Sequence, residues 1–214
     1  SATSCKQTCS TGLTLSVSVG GTGGRRLASA IVSPTGNLDD GATEYNRACS
    51  ALDSGFEGAW SLVCNNGVLT ADTSGCTEKA CDTSTSVLVG VGSLSATVYP
   101  DIAVASGGTL STLCAAVNPQ YTGLVTLSCT RGALSIASQA CNVKPCQPWH
   151  FVVGAVQGVS GLVYPRTQIA SGSLGVGECG NANIEYSGDV SMNCTLGQLQ
   201  VTDTSQCRLT CSSY

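Results

Sequence analysis

One period governs this chain. Cys49, Cys114 and Cys179 stand 65 residues apart, and so do Cys64, Cys129 and Cys194. Cys76 and Cys141 keep the same step, Cys207 follows one residue late, and Cys81, Cys146 and Cys211 step by 65 again. One unit used three times therefore accounts for twelve of the fourteen Cys. Cys5 and Cys9, in SCKQTC, mimic QCRLTC at Cys207 and Cys211, so the sequence opens and closes at one phase of its repeat. Self-similarity at a fixed period outranks every local signal, because each repeat must be one structural unit.

Each unit carries an ordered skeleton between its Cys. An aromatic residue precedes a Gly by two positions: Phe56 and Gly58, Tyr121 and Gly123, Tyr186 and Gly188. A Gly-x-Leu follows, ending at Leu69, Leu134 and Leu199. These six aromatic and leucine positions are the expected core, aromatic over leucine beside a disulfide. Earlier in the unit Tyr99-Pro100 aligns with Tyr164-Pro165, and Ser33-Pro34 takes that place in the first, which is longer by a Gly-rich insertion, Gly20 to Arg26. The insertion lacks the Gly-Lys-Ser/Thr of a phosphate-binding loop and fits a hairpin tip.

Short β-branched runs such as TLSVSV, VLVGVG and LVTLS, bounded by Gly, Ser and Asn, predict strands. No apolar stripe of helical period is present. A unit of this size buries too little surface to stand comfortably alone, and only two Phe and two Trp are available for all three. Dense Cys in a core-poor chain implies disulfides formed in an oxidising compartment. Metal ligation would call for C-x2-C pairs or Cys/His mixtures; the chain has no C-x2-C and one His, so no metal or other cofactor is expected. A net charge of −4 argues against nucleic acid, and no apolar run is long enough to span a membrane. The start at SATSC, without Met, suits a mature product after signal removal. The expectation is a secreted, extracellular or cell-surface protein.

In Cys order, spacing and linker length each unit resembles a sushi module, also called a complement control protein module. In that family the aromatic and Gly after the second Cys belong to the core, and a Gly-x-Trp precedes the fourth Cys. Here Leu69, Leu134 and Leu199 replace the Trp, and the Pro before the fourth Cys is missing. The resemblance implies small β-sandwich-like modules, with first Cys joined to third and second to fourth. That gives Cys9–Cys64 with Cys49–Cys76, Cys81–Cys129 with Cys114–Cys141, and Cys146–Cys194 with Cys179–Cys207. Cys5 and Cys211 are left to bond between subunits or locally. A rival framing joins close neighbours (Cys5–Cys9, Cys76–Cys81, Cys141–Cys146, Cys207–Cys211, with Cys49–Cys64 and its equivalents) and closes all fourteen. The fold expected is all-β, a tandem array of three disulfide-stapled modules forming an elongated rod. Residues 1–8 are a linker, 9–76, 81–141 and 146–207 the modules, and 208–214 a tail.

Catalytic chemistry finds little support. His150, in QPWHF, is the single His that a Ser-His or Cys-His mechanism could use, and every Cys serves better as a half-cystine. Asp39-Asp40 has a loop composition, and neighbouring side chains on an extended chain point apart. Asn193-Cys194-Thr195 fits the acceptor for N-glycosylation. Lys6, Lys79, Lys144 and Arg208 give each linker one cation. The favoured expectation is a non-catalytic structural subunit of an extracellular fibre, surface coat or extruded filament, joined head-to-tail to copies of itself. The alternative is a recognition or adhesion module for another extracellular protein. Such a module should show one unit with an unusual exposed aromatic cluster; only Trp149 and Trp60 stand out.

Overall fold

The computed structural model describes residues 6–20 and 26–210. The protein is all-β and disulfide-rich. Each repeat is built in the same order. A two-stranded ribbon comes first: Leu15–Gly20 with Arg26–Val32, Val87–Val91 with Leu94–Val98, and Val152–Val156 with Val159–Val163. Next comes an edge strand, Thr43–Ala48, Thr109–Leu113 or Leu174–Glu178, which runs into a single helical turn opened by Cys49, Cys114 or Cys179. A central strand and its hairpin partner complete the sheet: Phe56–Asn65 with Val68–Asp72, Tyr121–Thr130 with Ala133–Val143, and Asp189–Thr195 with Gln198–Asp203. It has three strands in the second and third repeats and four in the first, where Cys76–Glu78 also pairs with the central strand. The strands Leu15–Gly20 and Arg26–Val32 pair from Leu15↔Val32 to Gly20↔Arg26; residues 21–25, where the hairpin tip was expected, fall outside the described part.

Two glycine positions explain much of the repeating skeleton. Gly58, Gly123 and Gly188 have φ between +95° and +109°, and Gly58 lies opposite Cys76 in the ladder. A Cβ here would run into the carbonyl oxygen of Gly75, Ala140 or Gln206, one residue before the last Cys of each unit. The aromatic-x-Gly element is thus a close crossing of two backbones that no other residue permits. The second position closes the central hairpin. Asn66-Gly67, Arg131-Gly132 and Leu196-Gly197 all have positive φ at both residues, the two-residue turn whose twist matches its strands.

Six disulfides occur among the described residues: Cys9–Cys64, Cys49–Cys76, Cys81–Cys129, Cys114–Cys141, Cys146–Cys194 and Cys179–Cys207. Closing loops of 27 to 55 residues, each removes unfolded-chain entropy worth about 3.5–4 kcal/mol in the chain-entropy account. Their sulfurs sit inside the apolar clusters rather than beside them. Phe56, Trp60, Leu62, Val17 and Val19 surround Cys49, while Val156, Val163, Val190 and Met192 pack with all four Cys of the third repeat.

The chain divides into two compact units. One spans Ser1–Val89, Thr97–Ser111 and Thr126–Ser138; the other spans Gly90–Ala96, Thr112–Val125 and Gln139–Tyr214. The middle repeat gives its Cys81–Cys129 end to the first and its Cys114–Cys141 end to the second.

The expected core differs in detail. Phe56 and Leu69 are buried, but Tyr121, Tyr186, Leu134 and Leu199 are only half-buried. A tyrosine hydroxyl loses hydration if its ring is sealed, whereas a Phe ring does not. Nor does the leucine lie beneath the aromatic in the first repeat. Leu69 is the cross-strand partner of Cys64 and packs with Cys9–Cys64, while Phe56 belongs to the cluster around Cys49. Leu134 likewise packs with Cys81–Cys129.

The two classes of positive-φ glycine make a test. Gly123→Ala puts a methyl into the Ala140 carbonyl and should cost on the order of 3 kcal/mol. Gly107→Ala, where φ is +83° but nothing lies within 4 Å, should cost about 1 kcal/mol. Denaturant melts of the oxidised variants decide; equal losses would mean the close crossing is absent.

Candidate functional site

The two tryptophans divide sharply. Trp60 is 3% exposed; its indole N–H donates to the Ala48 carbonyl at 3.2 Å, and the Arg47 guanidinium lies over the ring at 4.8 Å. It is a core residue, as are Val125 and Val190 at the same phase. Trp149 is 70% exposed. With His150, Phe151, Pro119, Gln120 and Lys144 it lines an open groove of about 670 Å³ in the second unit.

His150 holds the local turn. Its Nδ1 accepts the Gln147 backbone N–H at 3.3 Å, and its own N–H donates to the Gln147 carbonyl. The ring stands edge-on to Trp149, with centroids 6.2 Å apart. Among the described residues no acid or hydroxyl is hydrogen-bonded to it. Asp40, half of the acidic pair, accepts the Asn66 N–H at 2.7 Å and so anchors a hairpin tip. Ser106 and Ser171 hold Arg131 and Leu196 in the same way. No group of three or more His, Cys, Asp or Glu among the described residues could hold a metal ion.

Asp72, Asp82 and Asp203 are the carboxylates set below their ordinary value, and each caps a turn. At Asp82 the Ser84 hydroxyl at 2.6 Å and its N–H at 2.9 Å donate first, with Thr85 adding more. Ser74 serves Asp72, and Ser205 serves Asp203. These are side-chain-to-backbone turns, with donors that favour the charged form.

Sequence inspection missed a buried amide. Asn118 and Asn183 are almost fully buried. Their Nδ2 groups donate to the carbonyls of Val91 and Val156, at the ends of the ribbons, and their Oδ1 atoms accept from Gln120 and Glu185. In the first repeat this position is Asp53, which cannot donate. Its Oδ1 still accepts from Gly55, and its Oδ2 takes the Arg131 guanidinium at 3.1 Å instead. The 65-residue spacing of Asp53, Asn118 and Asn183 was the available signal.

Two of the four linker cations pack on glycines. Lys79 and Lys144 lay their aliphatic stems over Gly132 and Gly197, burying methylenes while the ammonium stays wet. Arg208 sits in the short strand Arg208–Leu209, paired with Tyr186–Ser187. Asn193 stands in a central strand between Leu174 and Gln200, its amide donating to the Thr195 hydroxyl at 3.4 Å. The expected acceptor thus lies half-buried in a strand rather than in a loop. Cys5 and Cys211 lie outside the described residues.

Asn118→Ala should cost about 1–3 kcal/mol, because it orphans the Val91 carbonyl in the interior. Thermal melts check this. The three capping aspartates contribute stability that is present above their ordinary value of 3.8 and is lost as pH falls through their lower folded values. A carboxyl NMR titration should place all three midpoints below 3.8. Compared with protein-family models, with curated proteins and with solved structures, the chain matches none.

Proposed function

We propose that this protein is a non-catalytic structural subunit of an extracellular fibre, coat or filament, built from sushi-like modules that associate with copies of themselves. One observation carries this: the outward faces of the hairpin ribbons are apolar at the same phase in successive repeats. Leu88 and Val153, and Tyr99 and Tyr164, are exposed pairs 65 residues apart in the second and third repeats. In the third repeat Val153 lies across from Leu162, and the Phe151 and Tyr164 rings are 6.0 Å apart, so the face is continuous. A free ribbon normally turns polar residues to water. Single exposed hydrophobes need no explanation, but an apolar face that recurs does. With only 10% charged residues, the surface has little to oppose association. Six disulfides fit an oxidising compartment. Among the described residues no helix is long and apolar enough to cross a membrane.

A recognition or adhesion module is the second reading, favoured by Trp149 and its groove, which the first repeat does not duplicate: the residue at that phase is Gly12 there and Ser84 in the second. Sedimentation of the oxidised protein at rising concentration separates the two. A structural subunit gains mass with concentration, more strongly in sulfate. A protein that stays monomeric throughout would leave the recognition reading.

A further inference from the structure

Two junctions of one design join successive repeats. In the first, the Lys79 N–H donates to the Gly55 carbonyl at 2.8 Å, and the Lys79 stem lies on Gly132 at a hairpin tip. In the second, the Lys144 N–H donates to the Gln120 carbonyl at 2.8 Å, and its stem lies on Gly197. Shortly after each linker come three residues with one exposure pattern. Ser84, Thr85 and Ser86 are exposed, half-buried and exposed, and so are Trp149, His150 and Phe151 at the same phase. Ser-Thr-Ser meets the needs of folding at this place, so the aromatic trio is not there to fill a core.

The polar groups differ as sharply. At the first junction they satisfy one another: Asp82 accepts the Ser84 hydroxyl at 2.6 Å and the Thr85 hydroxyl at 3.1 Å, and Arg131 pairs with Asp53 at 3.1 Å. At the second, Gln147 stands for Asp82, Leu196 for Arg131 and Gln198 for Ala133. Among the described residues the side-chain amides of Gln120 and Gln198, the Trp149 indole N–H and the Lys144 ammonium then have no hydrogen-bond or ionic partner. His150 adds a fifth group. Its Nδ1 accepts the Gln147 N–H at 3.3 Å, so a neutral ring carries its proton on Nε2 and can donate it. All five residues line the open groove of about 670 Å³ at Trp149, within the range of small-molecule sites. The His150 ring stands at right angles to the indole, with centroids 6.2 Å apart. That contact helps to hold in place a ring that is 70% exposed.

We infer that this groove binds a segment of a neutral, β-linked polysaccharide, with one sugar ring stacked on Trp149. A pyranose whose hydroxyls are all equatorial presents faces of axial C–H bonds, which an exposed indole can cover. Its rim of hydroxyls both donates and accepts. Side-chain amides do both as well, so Gln120 and Gln198 can pair with neighbouring hydroxyls. One cation among five polar groups suits a neutral chain better than a polyanion. A proline-rich peptide is the other occupant that takes aromatic grooves. It lacks backbone N–H groups and would leave the two amide oxygens unpaired. The site goes beyond the structural role proposed above and does not rest on it.

Calorimetric titration with the β-1,4-linked pentamers of glucose and of N-acetylglucosamine tests this. The parent chain should bind at least one of them. Its tryptophan emission should shift to the blue, because Trp60 is already sealed and only Trp149 can lose water. Trp149→Ser installs the residue of the second repeat, so it should keep the parent's melting temperature while weakening binding about tenfold or more. Gln198→Ala, at an exposed position, should weaken it about three- to tenfold. If neither pentamer binds at millimolar concentration, or if Trp149→Ser binds as well as the parent, the groove is not a saccharide site. A proline decamer that binds in their place and shifts the Trp149 emission would make it a peptide groove instead.

Discussion

The pairing of first Cys with third and second with fourth is the constraint on which the structure depends. Small apolar clusters, which hold only one of the two Phe and one of the two Trp, could not by themselves overcome the chain entropy of so many short strands. The disulfides remove part of that entropy before folding begins, and their sulfurs then serve as core atoms. Cys64, Cys129 and Cys194 are fully buried in central strands, with Leu69 and Leu199 directly across from two of them. The other bond ties the helical turn to the strand that crosses Gly58, Gly123 or Gly188, so that crossing can be close.

The junctions rest on that frame. A hairpin tip can serve as a docking element only if its own conformation is fixed, and three devices fix it: positive φ at two residues, a side chain beneath accepting the tip N–H, and an aliphatic stem laid on the glycine. The turn beside it is held as well: Asn118 and Asn183 join a ribbon end to the backbone two residues on, and Asp53 joins Gly55 to Arg131 instead. Arg131 of one tip forms an ion pair with Asp53, and Leu196 at the same phase lines the groove with Pro119 and Gln120. Geometry is retained while chemistry changes, which is what a modular joint requires.

Asp53 shows how one substitution is absorbed. An amide at this position can donate to the ribbon, a carboxylate cannot, and a buried unpaired carboxylate would be costly. The guanidinium of Arg131 resolves the conflict and also joins the first repeat to the second. The Asn-to-Asp difference therefore has a purpose visible only with its partner, 78 residues away.

The sequence alone determined the period, the all-β class, the spacing of the Cys and the recurrence of aromatic, glycine and leucine, because each of these is a local or purely periodic property. The choice between the two Cys pairings fell to the tertiary structure. Strand alternation and turn glycines depend on a few neighbouring residues, and a 65-residue step shows directly in spacing. The half-burial of Tyr121 and Tyr186, the separation of Phe56 from Leu69, the buried amides and the seating of Lys79 and Lys144 on glycine were decided by tertiary structure. Each depends on which distant backbone approaches, and spacing along the chain does not carry that. The division of the middle repeat between two compact units belongs here as well. Its residues repeat like the others, and only the contacts at its two ends assign them to different neighbours.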